Sequence, residues 1–64
     1  MRLNKEKVQV CMARSEMSVK KLAVEYGCTT QFINSLFLRR SVRPSTAGRI
    51  AKALGVDVTE IIED

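Results

Sequence analysis

Apolar residues recur along the chain with helical spacing. The full i, i+3, i+4, i+7 pattern occurs twice, in Val19, Leu22, Ala23 and Tyr26 and again in Ala47, Ile50, Ala51 and Leu54. The same spacing begins in Val8, Cys11 and Met12 and in Ile33, Leu36 and Phe37. Such a stripe is typical of an amphipathic helix that packs one face on a core. No stretch alternates with the period of two expected for a strand, so the pattern predicts an all-α fold.

Signals for helix starts and ends divide the chain into five predicted helices. Asn4 caps the first helix, and Leu3 and Val8 occupy the two positions of a hydrophobic staple. The other predicted caps are the N-caps Ser18, Thr29 and Ser45 and the left-handed C-terminal glycines Gly27 and Gly55. Asp57 and Glu60 resemble a capping box that opens a short fifth helix, which contains Ile61 and Ile62. Because each helix is short, its stability must come from packing.

The length of the chain and the residue types that it lacks limit the classes of function to be considered. A chain of 64 residues forms one domain with a small core, so a large cavity for a small-molecule ligand is not expected. The sequence has no His, and Cys11 and Cys28 form no CxxC pair. We interpret both cysteines as reduced core residues in preference to a disulfide or a reactive thiol. We therefore expect no enzyme activity, no metal and no cofactor.

Charge is distributed unevenly along the chain. Residues 1–52 hold all 11 Lys and Arg against three acids, whereas residues 53–64 hold four acids and no base. A basic body indicates a polyanionic partner at one face.

The longest apolar run, residues 10–13, is far too short for a signal peptide or a membrane span, so we expect a cytoplasmic protein without a membrane partner.

The joint between the second and third predicted helices is short. Gly27 and Cys28 leave a linker of about three residues, and a tight turn that contains Gly joins two helices in the unit called helix-turn-helix. Ala23 is small where these helices cross. Five side chains of the unit are expected to point inward: Leu22, Tyr26, Cys28, Ile33 and Leu36.

This block resembles the helix-turn-helix of the phage-repressor and Cro-like family (Cro/C1-type, XRE). The resemblance extends over nearly all 64 residues, since a first helix precedes the block and the basic loop of residues 39–43 follows it. Pro44-Ser45-Thr46 and the ending Ile-Ala-Lys-Ala-Leu-Gly-Val at residues 50–56 also fit. The resemblance implies one domain, residues 1–64, with a compact five-helix lambda-repressor-like DNA-binding fold whose helix-turn-helix is formed by helices 2 and 3.

The outer face of the third predicted helix carries uncharged polar side chains. With about 100° per residue, the face opposite the core displays Gln31, Asn34, Ser35 and Leu38. Gln and Asn can offer a donor and an acceptor together to adenine in the major groove. The resemblance implies base-reading residues at Thr29, Thr30, Gln31 and Ser35, and the helix geometry adds Asn34. The alternative is that these are simply solvated helix residues.

Cations and helix starts flank this third helix. Lys20 and Lys21 stand in the first turn of the second helix, where the helix dipole disfavours cations, and this indicates an outside anion. Helix N-termini and Lys or Arg side chains together bind phosphate. The predicted phosphate contacts to DNA are Ser18, Lys20, Lys21, Arg39, Arg40, Arg43, Ser45 and Thr46.

Four positions raise separate questions. Arg39 stands where members of the family commonly end the third helix with Gly, which leaves the end of this helix open. Leu38 either touches a thymine methyl group or is covered by Val42 or a partner chain, and we favour a cover. Phe32 either packs against the second helix or stands exposed. Gly48 weakens the fourth helix, and close approach of another backbone or a phosphate would explain it.

We therefore expect a sequence-specific regulator of transcription that binds double-stranded DNA, repressor or Cro-like, of phage or bacterial type. A homodimer would place two reader helices in successive major grooves about 34 Å apart. Ile61 and Ile62 are the predicted dimer surface, with ordinary core packing as the alternative. A protein-interaction module of the same fold, such as an antitoxin or an accessory factor, is the second hypothesis. An interaction surface is expected to enrich aromatics and Met rather than Thr, Gln and Asn, which favours DNA.

Overall fold

The computed structural model describes residues 1–63 and contains four α-helices followed by one turn of 3-10 helix. The elements are α1 (Lys5–Arg14), α2 (Val19–Tyr26), α3 (Thr30–Leu38), α4 (Pro44–Leu54) and the 3-10 turn Val58–Glu60. Within residues 1–63 the extended backbone is limited to one isolated antiparallel bridge, between Leu3 and Ile62. The all-α fold is confirmed, with four α-helices in place of the five predicted helices.

The start of α1 follows the local signals in the sequence. The Asn4 side chain accepts a hydrogen bond from the backbone N–H of Lys7 at 3.0 Å. Leu3 and Val8, the two residues of the predicted staple, are both buried. This arrangement fixes where α1 begins and turns its apolar stripe toward the core.

The joint between α2 and α3 forms as predicted. Ser18 caps α2 by accepting from the backbone N–H of Lys21 at 3.1 Å, and Gly27 ends α2 with φ +91°. Thr29 then caps α3 by accepting from the backbone N–H of Phe32 at 3.1 Å. Because Gly27 takes the left-handed conformation without a Cβ clash, a linker of only three residues separates α2 from α3, and the two helices pack against each other.

The start of α4 differs from the prediction. Ser45 is not the N-cap, because α4 begins at Pro44 with Arg43 in the cap position. Proline suits the first helical position, since its φ is already helical and its missing N–H would have no partner there. Gly55 ends α4 with φ +72°, as predicted.

The predicted fifth helix is also shorter than expected. Asp57 caps the turn by accepting from the backbone N–H of Thr59 at 3.0 Å, and Glu60 accepts in return from the N–H of Asp57 at 3.4 Å. The turn ends at Glu60, so Ile61 and Ile62 lie beyond it. The Ile61 carbonyl accepts from the N–H of Asn4 at 2.8 Å, which binds the C-terminal segment to the N-terminal one in place of a further helical turn.

The core joins all four α-helices with residues of the loops and the ends of the chain. It is aliphatic: Leu22, Ile33, Leu36, Ile50 and Ile61 are the largest side chains that are fully buried. Both cysteines are free, with Cys11 buried and Cys28 only half-buried. Tyr26 is likewise half-buried. Of the five side chains that we expected to point inward, Tyr26 and Cys28 are therefore only partly enclosed, at the edge of the helix-turn-helix.

Candidate nucleic-acid interface

The outer face of α3 carries no charge. Thr29, Thr30, Gln31 and Asn34 are exposed and Ser35 is half-buried, and we call these five residues the reader face. Ile33 and Leu36, on the other side of the helix, are buried. The helical period thus separates an apolar side that anchors α3 from a polar side that faces solvent. The role of the reader face in binding DNA stays a prediction.

Two of the hydroxyls in the reader face already have backbone partners. Thr29 Oγ1 accepts the capping hydrogen bond of α3, and Ser35 Oγ donates to the Phe32 carbonyl at 2.6 Å. The side chains of Thr30, Gln31 and Asn34 form no hydrogen bond with any residue in the described range 1–63. The amides of Gln31 and Asn34 therefore keep their full set of donors and acceptors for a partner.

Leu38, the last residue of α3, is 86% exposed. We expected Val42 or a partner chain to cover it, and within this chain that expectation is wrong, because Val42 is itself buried and leaves Leu38 open. Counting 100° per residue, Leu38 lies within about 20° of Gln31 around the helix axis. The outer face of α3 therefore ends in an apolar side chain.

Arg49 stabilises the turn between α2 and α3, a role that the sequence did not predict. Its Nη2 atom donates to the Tyr26 carbonyl at 2.7 Å, and its guanidinium lies 4.5 Å from the centroid of the Tyr26 ring. The cation thus satisfies a carbonyl at the end of α2, where the helix dipole also favours positive charge. The two residues lie 23 positions apart, so no local pattern could have revealed the contact.

Phe32 packs against α2, which is the first of the two alternatives given for it in the sequence analysis. Its ring lies 5.8 Å from the Tyr26 ring, centroid to centroid, at an interplanar angle of 41°. The Arg39 guanidinium lies 5.7 Å from the centroid of the Phe32 ring. Phe32 is half-buried, so it joins α2 to α3 and still presents part of its ring to solvent.

The first turn of α2 presents two exposed lysines. Lys21 forms an ion pair with Glu25 one turn later, at 3.6 Å. Lys20 has no ion-pair partner among residues 1–63. An exposed pair of this i, i+4 kind contributes only about 0.3–0.5 kcal/mol, so Lys21 can be drawn to another anion at little cost.

The loop between α3 and α4 presents three exposed arginines, Arg39, Arg40 and Arg43, and we call residues 39–43 the basic loop. Val42 is buried and holds the loop to the core. Its backbone N–H donates to the Met1 carbonyl at 2.5 Å, and the Met1 ammonium donates to Ser41 Oγ at 3.0 Å. The backbone of the loop is therefore held in place while its cations point to solvent.

The first turn of α4 follows the basic loop directly. Its predicted phosphate contacts are Ser45, which is exposed, and Thr46, which is half-buried. No side chain of the described residues caps this helix start. The N–H groups of Ser45 and Thr46 thus remain available to an outside acceptor, unlike those bound by the caps of α2 and α3.

Ile61 and Ile62 do not form one shared exposed surface. Ile61 is completely buried, so it belongs to the core and cannot meet a partner chain. Ile62 is half-buried beside Leu3 in the antiparallel bridge. The core alternative is therefore the correct one for Ile61, because the bridge draws the end of the chain back over the molecule.

The acids at the end of the chain neutralise cations outside the reader face. Arg14 pairs with Glu60 at 3.0 Å, and Arg2 pairs with Glu63 at 3.9 Å. Residues 26–56, by contrast, contain five Lys and Arg and no acid. Positive charge is consequently unbalanced along the segment that holds α3, the basic loop and α4.

None of the helices found in residues 1–63 is both long enough and apolar enough to cross a membrane. Comparisons with curated proteins and with solved structures gave no match. A family model for the Cro/C1-type HTH DNA-binding domain matches residues 7–64. The matched range contains α2, α3 and α4 entirely and most of α1, which agrees with the resemblance seen in the sequence. The chain therefore belongs to the Cro/C1-type helix-turn-helix DNA-binding family.

Proposed function

We propose that the protein is a sequence-specific regulator of transcription, repressor or Cro-like, that reads the major groove of duplex DNA with α3. The observation that carries this proposal is the exposed, uncharged outer face of α3, with the amides of Gln31 and Asn34 free. The segment around it has no acid between residues 26 and 56. A polar helix face in a basic surround is complementary to base edges that lie between two phosphate backbones.

In this proposal the reader face contacts bases. A Gln or Asn amide can donate to N7 of adenine and accept from its N6 amino group, and hydroxyls adapt to either role. Gln31, Asn34 and Ser35 lie within about one helical turn, or about 6 Å along the helix axis. These three side chains can therefore reach neighbouring base pairs.

The surrounding groups bind phosphates and set the register of α3 in the groove. These groups are Ser18, Lys20, Lys21, Arg39, Arg40, Arg43, Ser45 and Thr46. The free N–H groups at the start of α4 and the positive end of its dipole favour an anion there. Such contacts fix orientation and carry no sequence information directly.

We also propose that two copies act together on an operator. Two reader helices about 34 Å apart would meet half-sites in successive major grooves on one side of the duplex. Because Ile61 is in the core, Ile62 is the residue of the predicted dimer surface that can still meet a second copy. We also propose a cytoplasmic location, because that is where a regulator of phage or bacterial type would meet its duplex DNA.

Selection from random duplex DNA at physiological salt tests the proposal. We expect an enriched motif with two half-sites about 10 base pairs apart. If no sequence is enriched and binding to duplexes is uniform or absent, the DNA-reading proposal is wrong. An interaction module of the same fold would then be the better interpretation.

Two substitutions separate base reading from phosphate binding. Gln31→Ala should cost about 1–3 kcal/mol on the selected site and relax specificity at one position. Arg40→Ala should weaken binding to all duplexes and reduce the salt slope by about one unit. The controls are Gln9→Ala and Lys5→Ala, which remove an amide and a positive charge, respectively, from the exposed surface of α1. If Gln31→Ala keeps the original motif, the reader face is assigned incorrectly.

A further inference from the structure

Four side chains form a continuous stack along one side of the helix-turn-helix. In order they are Arg49, Tyr26, Phe32 and Arg39, with successive separations of 4.5, 5.8 and 5.7 Å measured to or between ring centroids. We call this arrangement the Arg–aromatic stack. It starts on α4, crosses α2 and α3, and ends at the first residue of the basic loop.

We infer that the Arg–aromatic stack is a positioning device that orients Arg39 in advance for a phosphate of the DNA backbone. This inference rests on the proposed function, and it assigns the aromatic pair of Tyr26 and Phe32 a role in DNA binding. At 5.7 Å from the centroid of the Phe32 ring, the Arg39 guanidinium lies within the range of a cation–π contact, and its N–H donors form no hydrogen bond with the side chains or carbonyls of residues 1–63. The edge of Arg39 thus stays free for two parallel hydrogen bonds to one phosphate.

The inner end of the stack is fixed. Arg49 donates to the Tyr26 backbone carbonyl, and this hydrogen bond holds its guanidinium over the Tyr26 ring. Tyr26 in turn supports the Phe32 ring, since tilted aromatic pairs at this separation attract each other. Phe32 can therefore serve as a platform whose orientation is set by α2 and α4.

The outer end of the stack is the part that needs support. Arg39 follows α3 with an extended backbone, φ −76° and ψ 142°, and not with the left-handed turn that commonly ends a helix. It forms no ion pair with any of residues 1–63. Its guanidinium likewise forms no hydrogen bond within this range, so the cation–π contact with Phe32 is the polar interaction that favours one direction for this long side chain. Ordering such a side chain before binding improves affinity by about 2-fold to 12-fold.

The test is a double-mutant cycle on the duplex obtained by selection, with dissociation constants from fluorescence anisotropy. Phe32→Leu removes the ring and keeps an apolar side chain, and it should weaken binding by about 2-fold to 12-fold. Arg39→Ala should also weaken binding, but by a smaller factor in the Phe32→Leu background than in the wild type. Phe32→Tyr keeps a ring face and should restore the full effect of Arg39→Ala.

Phe37→Leu is the matched control. It makes the same change at the other phenylalanine of α3, which is half-buried and lies outside the stack. Its effect on affinity should combine with that of Arg39→Ala as a simple product. If Phe32→Leu behaves in the same independent way while the wild type binds its site normally, the inference is wrong and the proposed function stands.

An NMR measurement on the protein without DNA tests the Arg–aromatic stack separately from DNA binding. Because the Arg39 guanidinium carbon lies 5.7 Å from the centroid of the Phe32 ring, the ring current should shift side-chain resonances of Arg39 upfield in the NMR spectrum. Phe32→Leu should abolish this shift, whereas Phe37→Leu and Phe32→Tyr should preserve it. A shift unchanged in a folded Phe32→Leu variant overturns the stack itself. A normal shift in a wild-type protein that binds no duplex overturns the proposed function, and with it the phosphate role of Arg39.

Discussion

Gly48→Ala is expected to stabilise the protein by about 1 kcal/mol. Gly48 lies inside α4, four residues after Pro44, and it is exposed. A Cβ atom built on it would meet no atom within 4 Å, so an added methyl group creates no clash. Glycine inside a helix is about 1 kcal/mol less favourable than alanine, because the unfolded chain loses more freedom at glycine. The whole of this difference should therefore appear in the free energy of unfolding.

Thermal unfolding followed by circular dichroism measures the effect. For a domain of this size, about 1 kcal/mol corresponds to an increase in Tm of about 4–8 °C. Urea unfolding should show a higher midpoint with an unchanged slope, since the variant exposes the same surface on unfolding.

Gly55→Ala is the matched control. It adds the same methyl group at a position where a Cβ would again meet nothing within 4 Å, but the backbone there has φ +72°. Alanine in this left-handed conformation costs about 1–2 kcal/mol, so the Tm of this variant should fall. If Gly48→Ala failed to raise the Tm, or if both variants shifted it equally, backbone conformation would not be the cause.

The same variant answers the question that the sequence raised about Gly48. Within residues 1–63 no atom approaches the position closely enough to require glycine. A DNA phosphate that approached Gly48 in the complex would make Gly48→Ala bind duplex DNA more weakly while it unfolds at a higher temperature. Unchanged affinity would show that the glycine has no such role.

Three further outcomes follow from the structure. Ile61→Ala should lower the free energy of unfolding by about 2–5 kcal/mol in urea unfolding, because Ile61 is completely buried; a loss below about 1 kcal/mol would contradict its place in the core. Leu38→Ser should change the free energy of unfolding by no more than about 0.5 kcal/mol in urea unfolding, since Leu38 is 86% exposed, and a larger loss would mean that something covers it. Hydrogen bonds from the hydroxyl and the N–H of Thr59 hold the pKa of the Asp57 carboxyl below its ordinary value of 3.8. Its stabilising effect is therefore complete above pH 3.8 and is lost as the pH falls through the lower pKa of the folded state. Asp57→Asn should flatten this part of the stability curve in acid titrations followed by circular dichroism, and an unchanged curve would argue against the Thr59 contacts.

Most helix boundaries were readable from the sequence because the interactions that set them are local. Asn4, Ser18 and Thr29 each accept from a backbone N–H three residues later, and the two left-handed glycines act on the turn directly before them. Ser45 was assigned wrongly because a second local rule competes with capping: proline itself prefers the first position of a helix.

The location of the candidate site was also predictable, within limits. The period of 3.6 residues places Ile33 and Leu36 on the buried side of α3, and Gln31 and Asn34 on the opposite side as a consequence. The periodic pattern contains no information on how far a side chain projects once its neighbours are in place. Helical counting places Leu38 and Ser35 on the outer side of α3, but it could not show that Val42 leaves Leu38 uncovered or that Ser35 is half-buried.

The sequence alone determined the helical class, the helix-turn-helix and the polar side of α3, because each of these depends on residues a few positions apart. Only the tertiary structure decided that Ile61 is core, that Arg49 holds the carbonyl of Tyr26, and that Phe32 links Tyr26 to Arg39. The hydrogen bond between Arg49 and Tyr26 spans 23 positions, and the Leu3–Ile62 bridge joins the two ends of the chain. The physical reason is that contacts of this kind depend on how the helices pack together, and the energy of that packing is shared by the whole core.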